Sequence, residues 1–396
     1  MVSQIGSQAF VVAAMFWIKH ATESATLMGV VMMLGTLPFV LLGAIGGVVA
    51  DRASRKRVLI ACDLIAGGAV LLLSLAVATV PHATAFLIAV VCLVSAILGA
   101  VGAFFHPAII AVTPSLVPPE RLAAANSLRE ASGDTAALVG QAAGGVALRI
   151  LGAPILFLID GVSYLFAAAS TSLARIPHHA GAGSGGEHPS VRSALRQGFG
   201  FIGEQRGLTS LVIVATLANF FAAPFIVVLP FFVEDTLRAS SDWFGYLIAC
   251  AGGGGLLGYL VAGSIQHARG AFVLLACLCA LSVCIFALAL VSTTFAAAAL
   301  LVAVGTTGAV FNVGAVTVLQ RGTPDAFRGR VFGLVQALAM ATTPLAMLLA
   351  GVVADALGRD ARLVFAGCGV ALVAVTLAAA MHRPLRNYLN DRTDAS

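Results

Sequence analysis

The sequence predicts an all-α polytopic membrane protein with twelve transmembrane helices in two six-helix bundles. Composition, recurring apolar segments and an internal repeat predict this fold class. Hydrophobic residues make up 60% of the 396 residues, charged residues only 10%, and the mean hydropathy is +1.02. Soluble chains carry about 25% charged residues. Such a chain is therefore expected to bury its apolar segments in lipid.

Twelve apolar segments follow one another along the chain. At a rise of 1.5 Å per residue, most of them are long enough to cross a hydrocarbon core of about 30 Å. The first segment barely reaches this length. The segments are residues 2–18, 28–50, 58–80, 86–112, 125–149, 153–174, 208–233, 243–265, 271–292, 294–318, 330–355 and 361–381.

The distribution of cationic residues predicts the orientation. Cytoplasmic loops carry an excess of Lys and Arg. With the N-terminus in the cytoplasm, 17 of the 22 Lys and Arg residues fall on the inner side and 5 on the outer side. We therefore expect a multi-pass protein of the cell membrane (a plasma or bacterial inner membrane) with both termini cytoplasmic.

An internal repeat divides the chain. Pro118–Leu128 aligns with Pro324–Leu334, and Gly145–Gly152 aligns with Gly351–Gly358 at the same shift. Six-span repeats are typical of secondary transporters. The predicted organisation is an N-terminal bundle, a Gly-rich cytoplasmic linker, a C-terminal bundle and a cytoplasmic tail, at residues 1–174, 175–206, 207–381 and 382–396.

Several function classes are excluded by the sequence. It has no P-loop and only two lysines, Lys19 and Lys56, so it is not expected to hydrolyse nucleotides. It has no cluster with metal-ligand spacing and no Gly-x-Ser-x-Gly motif. The formal net charge of +5 comes with no basic stripe, which argues against nucleic-acid binding. We expect no enzymatic activity, no cofactor and no metal.

The segment between spans two and three carries the strongest motif. Gly47-Val-Val-Ala-Asp51 is followed by Arg52, Arg55, Lys56 and Arg57. This segment resembles the Gly–x–x–x–Asp–Arg–x–x–Arg–Lys loop of the major facilitator superfamily, with Ser54 where the family usually has Gly. The resemblance implies the major facilitator fold and a gating role for Asp51, Arg52, Arg55, Lys56 and Arg57.

Three further segments narrow the resemblance. They are Phe105–Ala108, Pro118–Leu128 and Phe157–Leu165. They resemble the branch that contains macrolide-efflux-type proteins and the enterobactin exporter. This implies a proton-driven exporter, an antiporter of amphipathic small molecules such as drugs or siderophores, working by alternating access. Its expected partners are the substrate, protons and membrane lipid, and we expect a monomer.

Other functions are consistent with the same fold. A proton symporter that imports a metabolite and a transporter of lysophospholipids are both alternatives. A membrane sensor without transport activity is a third alternative, although the complete gating loop argues against it.

Span five contains a polar face on an otherwise apolar helix. Asn126, Glu130, Asp134 and Gln141 fall within about 80° of one another on a helix. Lipid disfavours such a face, so we expect it to point into the bundle or its cavity. Asp134 lies roughly 13 Å from the helix start, near the bilayer midplane. It is the first candidate for proton coupling, with packing against a neighbouring helix as the alternative.

The remaining candidates are assigned from their position in the spans. Glu130 is shallower and is expected near the inner gate, and Asp160 in span six is a further coupling candidate or a structural anchor. Gly140-Gln-Ala-Ala-Gly144-Gly145 resembles the family's antiporter motif, with Gln141 in place of Pro. The cavity-lining candidates are His106, Asn126, Gln141, Asn219, Asn312 and Gln336.

Overall fold

The computed structural model describes residues 2–118, 121–174, 200–264 and 270–391. These residues form long helices joined by short turns. The helices are α1 Val2–Thr22, α2 Ala25–Arg52, α3 Arg55–Thr79, α4 Thr84–Leu116, α5 Leu122–Leu151, α6 Ala153–Leu173, α7 Arg206–Ala222, α8 Pro224–Phe231, α9 Asp242–Ser264, α10 Gly270–Leu288, α11 Thr294–Gly322, α12 Asp325–Ala356, α13 Ala361–Met381 and α14 Arg383–Asp391.

Within the described part of the chain, nine helices are long and apolar enough to cross a membrane, and Phe272–Leu288 is a shorter apolar helix. Helices α7 and α8, with the π-helical turn Phe232–Thr236, form one of the nine spans. Helices α1 and α5 correspond to two further predicted spans. Their hydropathy is too low to count among the nine because they contain more polar side chains. The chain is a multi-pass membrane protein, and a count of twelve spans is consistent with these helices.

The chain folds as two compact units. Unit 1 comprises Met1–Gly185 and Ala239–Ala249, and unit 2 comprises Gly186–Arg238 and Cys250–Ser396. Most of the predicted linker at residues 175–206 lies outside the described residues.

In unit 1, α1 packs on α5 and α6, α2 packs on α4, and α3 packs on α4 and α6. The first turns of α9 also belong to this unit. There Phe244 stacks edge-on against Phe16 with ring centroids 5.6 Å apart, and Arg149 forms an ion pair of 3.3 Å with Asp242. Unit 1 therefore includes a short segment from the second half of the sequence.

Unit 2 repeats the packing pattern of unit 1. Helix α7 packs on α12 and α13, and α10 packs on α11 and α13. The short helix α14 closes one end, where Leu385 and Leu389 join the apolar core. Tyr388 of α14 lies against Gly207, where a β-carbon would stand only 2.3 Å from the tyrosine Cβ.

Close glycine crossings occur at equivalent places in both units. A β-carbon at Gly99 of α4 would stand 2.6 Å from the carbonyl oxygen of Gly35 in α2. At the repeat-related Gly305 of α11, a β-carbon would stand 1.9 Å from the carbonyl oxygen of Ala251 in α9. Small residues let membrane helices approach this closely. The internal repeat of the sequence is therefore also present in how the helices of each unit pack.

Candidate transport site

Unit 1 encloses a polar cavity of about 370 Å³. This volume lies within the range of about 300–1,000 Å³ that is common for small-molecule sites. Five helices contribute to its wall. The polar lining residues are Ser3, Gln4, Ser7 and Gln8 of α1, Asp63 of α3, His106 of α4, Arg129 and Glu130 of α5, and Tyr164 of α6.

A chain of hydroxyl groups joins α1 to α6 beside this cavity. The Ser7 hydroxyl donates to the carbonyl oxygen of Ser3 over 2.7 Å. Its oxygen lies 2.8 Å from the Tyr164 hydroxyl. Because the Ser7 proton is already used, Tyr164 is the donor in the second bond. Tyr164 therefore donates to Ser7, and Ser7 donates to Ser3.

Asp160 of α6 is completely buried, with 0% of its surface exposed. The Ser163 hydroxyl lies 2.7 Å from its main-chain oxygen and 3.5 Å from its Oδ1. Its Oδ2 has no hydrogen-bond partner among the described residues. A carboxyl group in the membrane interior that lacks a cation and a full set of donors is costly to keep ionised. Asp160 is therefore chemically suited to hold a proton.

The polar face predicted on α5 divides between several environments. Glu130 lines the cavity and pairs with the adjacent Arg129. Gln141 donates from Nε2 to Oε1 of Gln8 on α1 over 2.7 Å. Asn126 and Asp134 are exposed and are not among the described residues that line the cavity. The polar face of α5 therefore contributes one side chain to the cavity wall, one to an interhelical hydrogen bond and two that are exposed.

The small residues of the antiporter-like motif bring α5 against α1. A β-carbon at Gly140 would stand 2.5 Å from the carbonyl oxygen of Ile5, and one at Gly144 would stand 3.0 Å from Cα of Ala9. Gly145 faces the first turns of α9, where a β-carbon added to it would stand 3.0 Å from the Gly245 nitrogen. The motif therefore serves close packing, even though Gln141 replaces its proline.

Two cations at the start of α3 donate to main-chain oxygens of other helices. Lys56 Nζ donates to the carbonyl oxygens of Ser172 and Ala174, over 2.6 and 2.8 Å. Arg55 Nη1 donates to the carbonyl oxygen of Ala111 over 2.7 Å. Cations near helix C-termini satisfy free carbonyl groups and interact favourably with the helix dipole.

Of the other charged residues of this segment, the structure describes the side chain of Arg57 alone. Arg57 is exposed, and α2 ends at Arg52. The side chains of Asp51 and Arg52 lie outside the described residues. Arg55 and Lys56 therefore connect the start of α3 to α4 and α6.

Unit 2 encloses a second cavity of about 460 Å³ with a mostly apolar wall. Asn219 of α7 and Asn312 of α11 both line it, together with Thr216, Tyr259 and Phe311. Asn219 also donates to the carbonyl oxygen of Ala215 over 3.0 Å within its own helix. The side chain of Gln336 lies outside the described residues.

Some residues of the unit 1 site had no predicted role in the sequence. Ser7 and Gln8 lie in no motif, and Tyr164 lies in the segment Phe157–Leu165 but has no predicted role of its own. A signal was nevertheless present, since Gln4 and Gln8 are one turn apart in an apolar segment. The structure places the cavity-lining candidate His106 in the wall of the unit 1 cavity, with its ring 5.5 Å from that of Phe39.

Comparison with protein families places this architecture among membrane transporters. The family model described as transmembrane secretion effector matches residues 1–393. Macrolide efflux protein A of Streptococcus pyogenes is 24% identical over 378 residues, which cover 94% of this chain and 92% of that protein. Multidrug efflux pump Tap of Mycolicibacterium fortuitum is 29% identical over 372 residues, covering 90% and 87%.

Solved structures share the fold at low sequence identity. A bacterial homologue of the iron transporter ferroportin superposes with a TM-score of 0.73 at 14% identity, covering 96% of both chains. The xylose transporter XylE from E. coli superposes with a TM-score of 0.68 at 12% identity, covering 96% of this chain and 94% of that one. The predicted major facilitator fold is confirmed.

Proposed function

Because the chain belongs to the transmembrane secretion effector family of the major facilitator superfamily, we propose that it is a proton-driven exporter of amphipathic small molecules. In this proposal the substrate leaves the cell while protons move inward, and the two faces of the membrane gain access to the site alternately. Two relatives with high coverage are named as efflux proteins, which supports export.

The observation that carries the proposal is the polar cavity of unit 1. A bundle that only anchors a protein in lipid gains nothing from a cavity lined with hydroxyl, amide and ionisable groups, because each of these groups must be desolvated. A transport pathway requires them. The apolar cavity of unit 2 supports a substrate that also carries hydrophobic surface.

Proton coupling requires a group that changes its charge during the cycle. Asp160 is our first candidate because it is buried, is close to the cavity residue Tyr164 in α6, and has one carboxyl oxygen without a partner among the described residues. The sequence alone favoured Asp134, whose exposed side chain supports this role less well. Protonation of the coupling acid biases the protein toward one of its two states.

Transport by inside-out membrane vesicles tests the proposal. Respiration acidifies the vesicle lumen, which corresponds to the cell exterior. An exporter coupled to protons accumulates a radiolabelled macrolide in the lumen, and a protonophore abolishes the accumulation. Vesicles from cells without the protein provide the background.

The same assay separates the alternatives. A proton symporter that imports its substrate would deplete preloaded substrate from an acidic lumen. A lysophospholipid transporter would move fluorescent lysophosphatidylcholine and leave the macrolide outside. If no amphipathic probe moves above the background, the proposed function is wrong and a non-transporting role is favoured.

A further inference from the structure

Helix α14 begins where the membrane span of α13 ends. The span reaches Met381 and α14 starts at Arg383, so His382 alone separates them. The apolar side chains of Leu377 and Met381 are exposed at the end of α13, as a lipid-facing surface requires. Beyond the hydrocarbon, the headgroup layer is about 5–8 Å thick on each side of a bilayer. Helix α14 therefore lies at the level of the phospholipid headgroups.

Contacts with several helices hold α14 across the end of unit 2. Leu385 and Leu389 are buried in a core shared with α7, α10 and α13. Tyr388 lies against Gly207 at the start of α7 and against Gly322 at the end of α11. A helix of nine residues is only about 14 Å long, so it reaches these neighbours by lying across their ends. Helix α14 therefore runs along the membrane surface.

The face of α14 opposite its buried leucines is basic. Arg383 and Arg386 are both exposed and lie about 60° apart around the helix. The first turn of α14 contains no acidic residue. Within the described part of the chain, neither guanidinium group forms an ion pair. We call these two arginines the basic face of α14.

The start of α7 adds a third arginine beside this face. Arg206 is exposed and directly precedes Gly207. A β-carbon at Gly207 would stand 2.8 Å from the carbonyl oxygen of Pro384, which places the start of α7 against the first turn of α14. One turn further along α7, the Ser210 hydroxyl lies 3.1 Å from Nδ1 of His382. Arg206 therefore belongs to the same end of unit 2 as the basic face.

The charge around α14 is positive even when the acids are counted. The segments that meet at this end of unit 2 are residues 200–210, 318–332 and 382–391, and their arginines are twice as numerous as their acids. The arginines are Arg206, Arg321, Arg328, Arg330, Arg383 and Arg386, and the acids are Glu204, Asp325 and Asp391. The side chains of Arg321, Asp325, Arg328, Arg330 and Asp391 lie outside the described residues. This excess of positive charge favours an anionic partner.

Arginine is suited to the phosphate group of a lipid. A guanidinium group donates two parallel hydrogen bonds to phosphate oxygens, which gives both affinity and orientation. Anionic lipids give the cytoplasmic leaflet a negative surface potential that attracts basic segments beside a span. The sequence predicts that the C-terminus lies on this side of the membrane. Position, charge and residue type therefore favour the same partner.

We propose that the basic face of α14, together with Arg206, is a docking surface for the headgroups of anionic phospholipids. The arginines hold the phosphate oxygens, and the acyl chains lie along the exposed apolar end of α13. A lipid bound here holds α14 in place, and α14 in turn holds the ends of α7 and α11 through Tyr388. This surface is separate from the transport site and does not depend on the direction of transport or on its coupling.

Equilibrium binding of fluorescent phospholipids tests this proposal. The purified full-length protein in a non-ionic detergent is titrated with phosphatidylglycerol and with phosphatidylcholine that carry the same label on an acyl chain. Phosphatidylglycerol should bind more tightly, by about fivefold for each arginine that contacts it. The preference should fall in 1 M salt, where the Debye length is about 3 Å. Equal binding of the two lipids, or displacement of phosphatidylglycerol by millimolar glycerol 3-phosphate, would overturn the proposal.

Two double variants locate the preference. Arg383→Gln/Arg386→Gln should weaken the binding of phosphatidylglycerol by about fivefold for each cation removed and leave that of phosphatidylcholine unchanged. The matched control is Arg57→Gln/Arg121→Gln, which removes two exposed cations from the same predicted side of the membrane in unit 1. The control should retain the preference for phosphatidylglycerol. Equal losses in the two double variants would show that only net charge matters and would sink the assignment.

A further variant keeps the test decisive if the glutamine variant does not fold. Arg383→Lys/Arg386→Lys retains both charges and should keep most of the preference for phosphatidylglycerol. Thermal unfolding provides a second readout, since phosphatidylglycerol should raise the unfolding midpoint of the native protein and of the lysine variant more than phosphatidylcholine does. A lysine variant that binds the two lipids equally, or a native protein that both lipids stabilise equally, would contradict the docking surface.

Discussion

Gly6 of α1 lies directly against Asp160 of α6. A β-carbon at residue 6 would stand 2.6 Å from Asp160 Oδ1 and 2.9 Å from the Ser163 hydroxyl. Because Asp160 is completely buried, its carboxyl group cannot swing into solvent to make room. The glycine therefore defines the space in which the buried acid is held.

Gly6→Ala should consequently destabilise the protein. The added methyl group forces α1 away from α6, at a cost of about 1–3 kcal/mol for overpacking. The measurement is the thermal unfolding midpoint of the purified protein in detergent. Gly68→Ala is the control, since a β-carbon added there would meet no atom of another helix within 4 Å. Equal midpoints for the two variants would show that the contact at Gly6 is not tight.

Asp160→Asn should separate substrate movement from the proton gradient. The amide retains the shape of the carboxyl group and cannot release a proton at neutral pH. We expect gradient-driven accumulation in inside-out vesicles to fall to background, while exchange of labelled for unlabelled substrate continues without a gradient. Asp134→Asn should retain most of the gradient-driven transport. The opposite result, with Asp134→Asn uncoupled and Asp160→Asn active, would return the coupling role to Asp134.

Lys56→Met should impair the protein more than Arg57→Met. Both changes remove one cation from the same loop, so their effects on membrane topology should be equal. Only Lys56 donates to the carbonyl oxygens at the end of α6, and a cation there contributes about 0.3–1 kcal/mol. We expect a lower unfolding midpoint and a slower transport rate for Lys56→Met. Identical losses in the two variants would argue that the loop acts only through its net charge.

Gly254→Ala should disrupt the crossing of α9 and α11 in unit 2. A β-carbon there would stand 2.1 Å from the carbonyl oxygen of Val302, and backbone atoms cannot move aside cheaply. We expect poor membrane yield or a destabilisation of about 1–3 kcal/mol. Gly253→Ala is a matched control one residue away, where an added β-carbon would meet nothing within 4 Å. Wild-type yield and stability for Gly254→Ala would contradict the close crossing.

Hydropathy and motif spacing were sufficient to identify the fold. Each apolar segment partitions into lipid according to its own hydropathy, so the segments can be identified from the sequence without knowledge of their neighbours. The loop that begins at Gly47 and the repeat that relates Gly145 to Gly351 identified the superfamily, because they depend on local spacing. Glycine contacts were only partly predictable, since a β-carbon at the motif residue Gly47 would meet nothing within 4 Å while its neighbour Gly46 lies against Ala103.

The composition of the site was decided by tertiary structure. Ser7 and Tyr164 are 157 positions apart and share a hydrogen bond, and no local pattern relates them. Periodicity placed Asp134 on the polar face of α5, but it could not determine which part of that face meets another helix. The sequence by itself determined which segments enter the membrane, because partition into lipid is a property of each segment. Only the packing of the helices determined which acids are buried at a cavity, because burial depends on neighbours that come from distant parts of the chain.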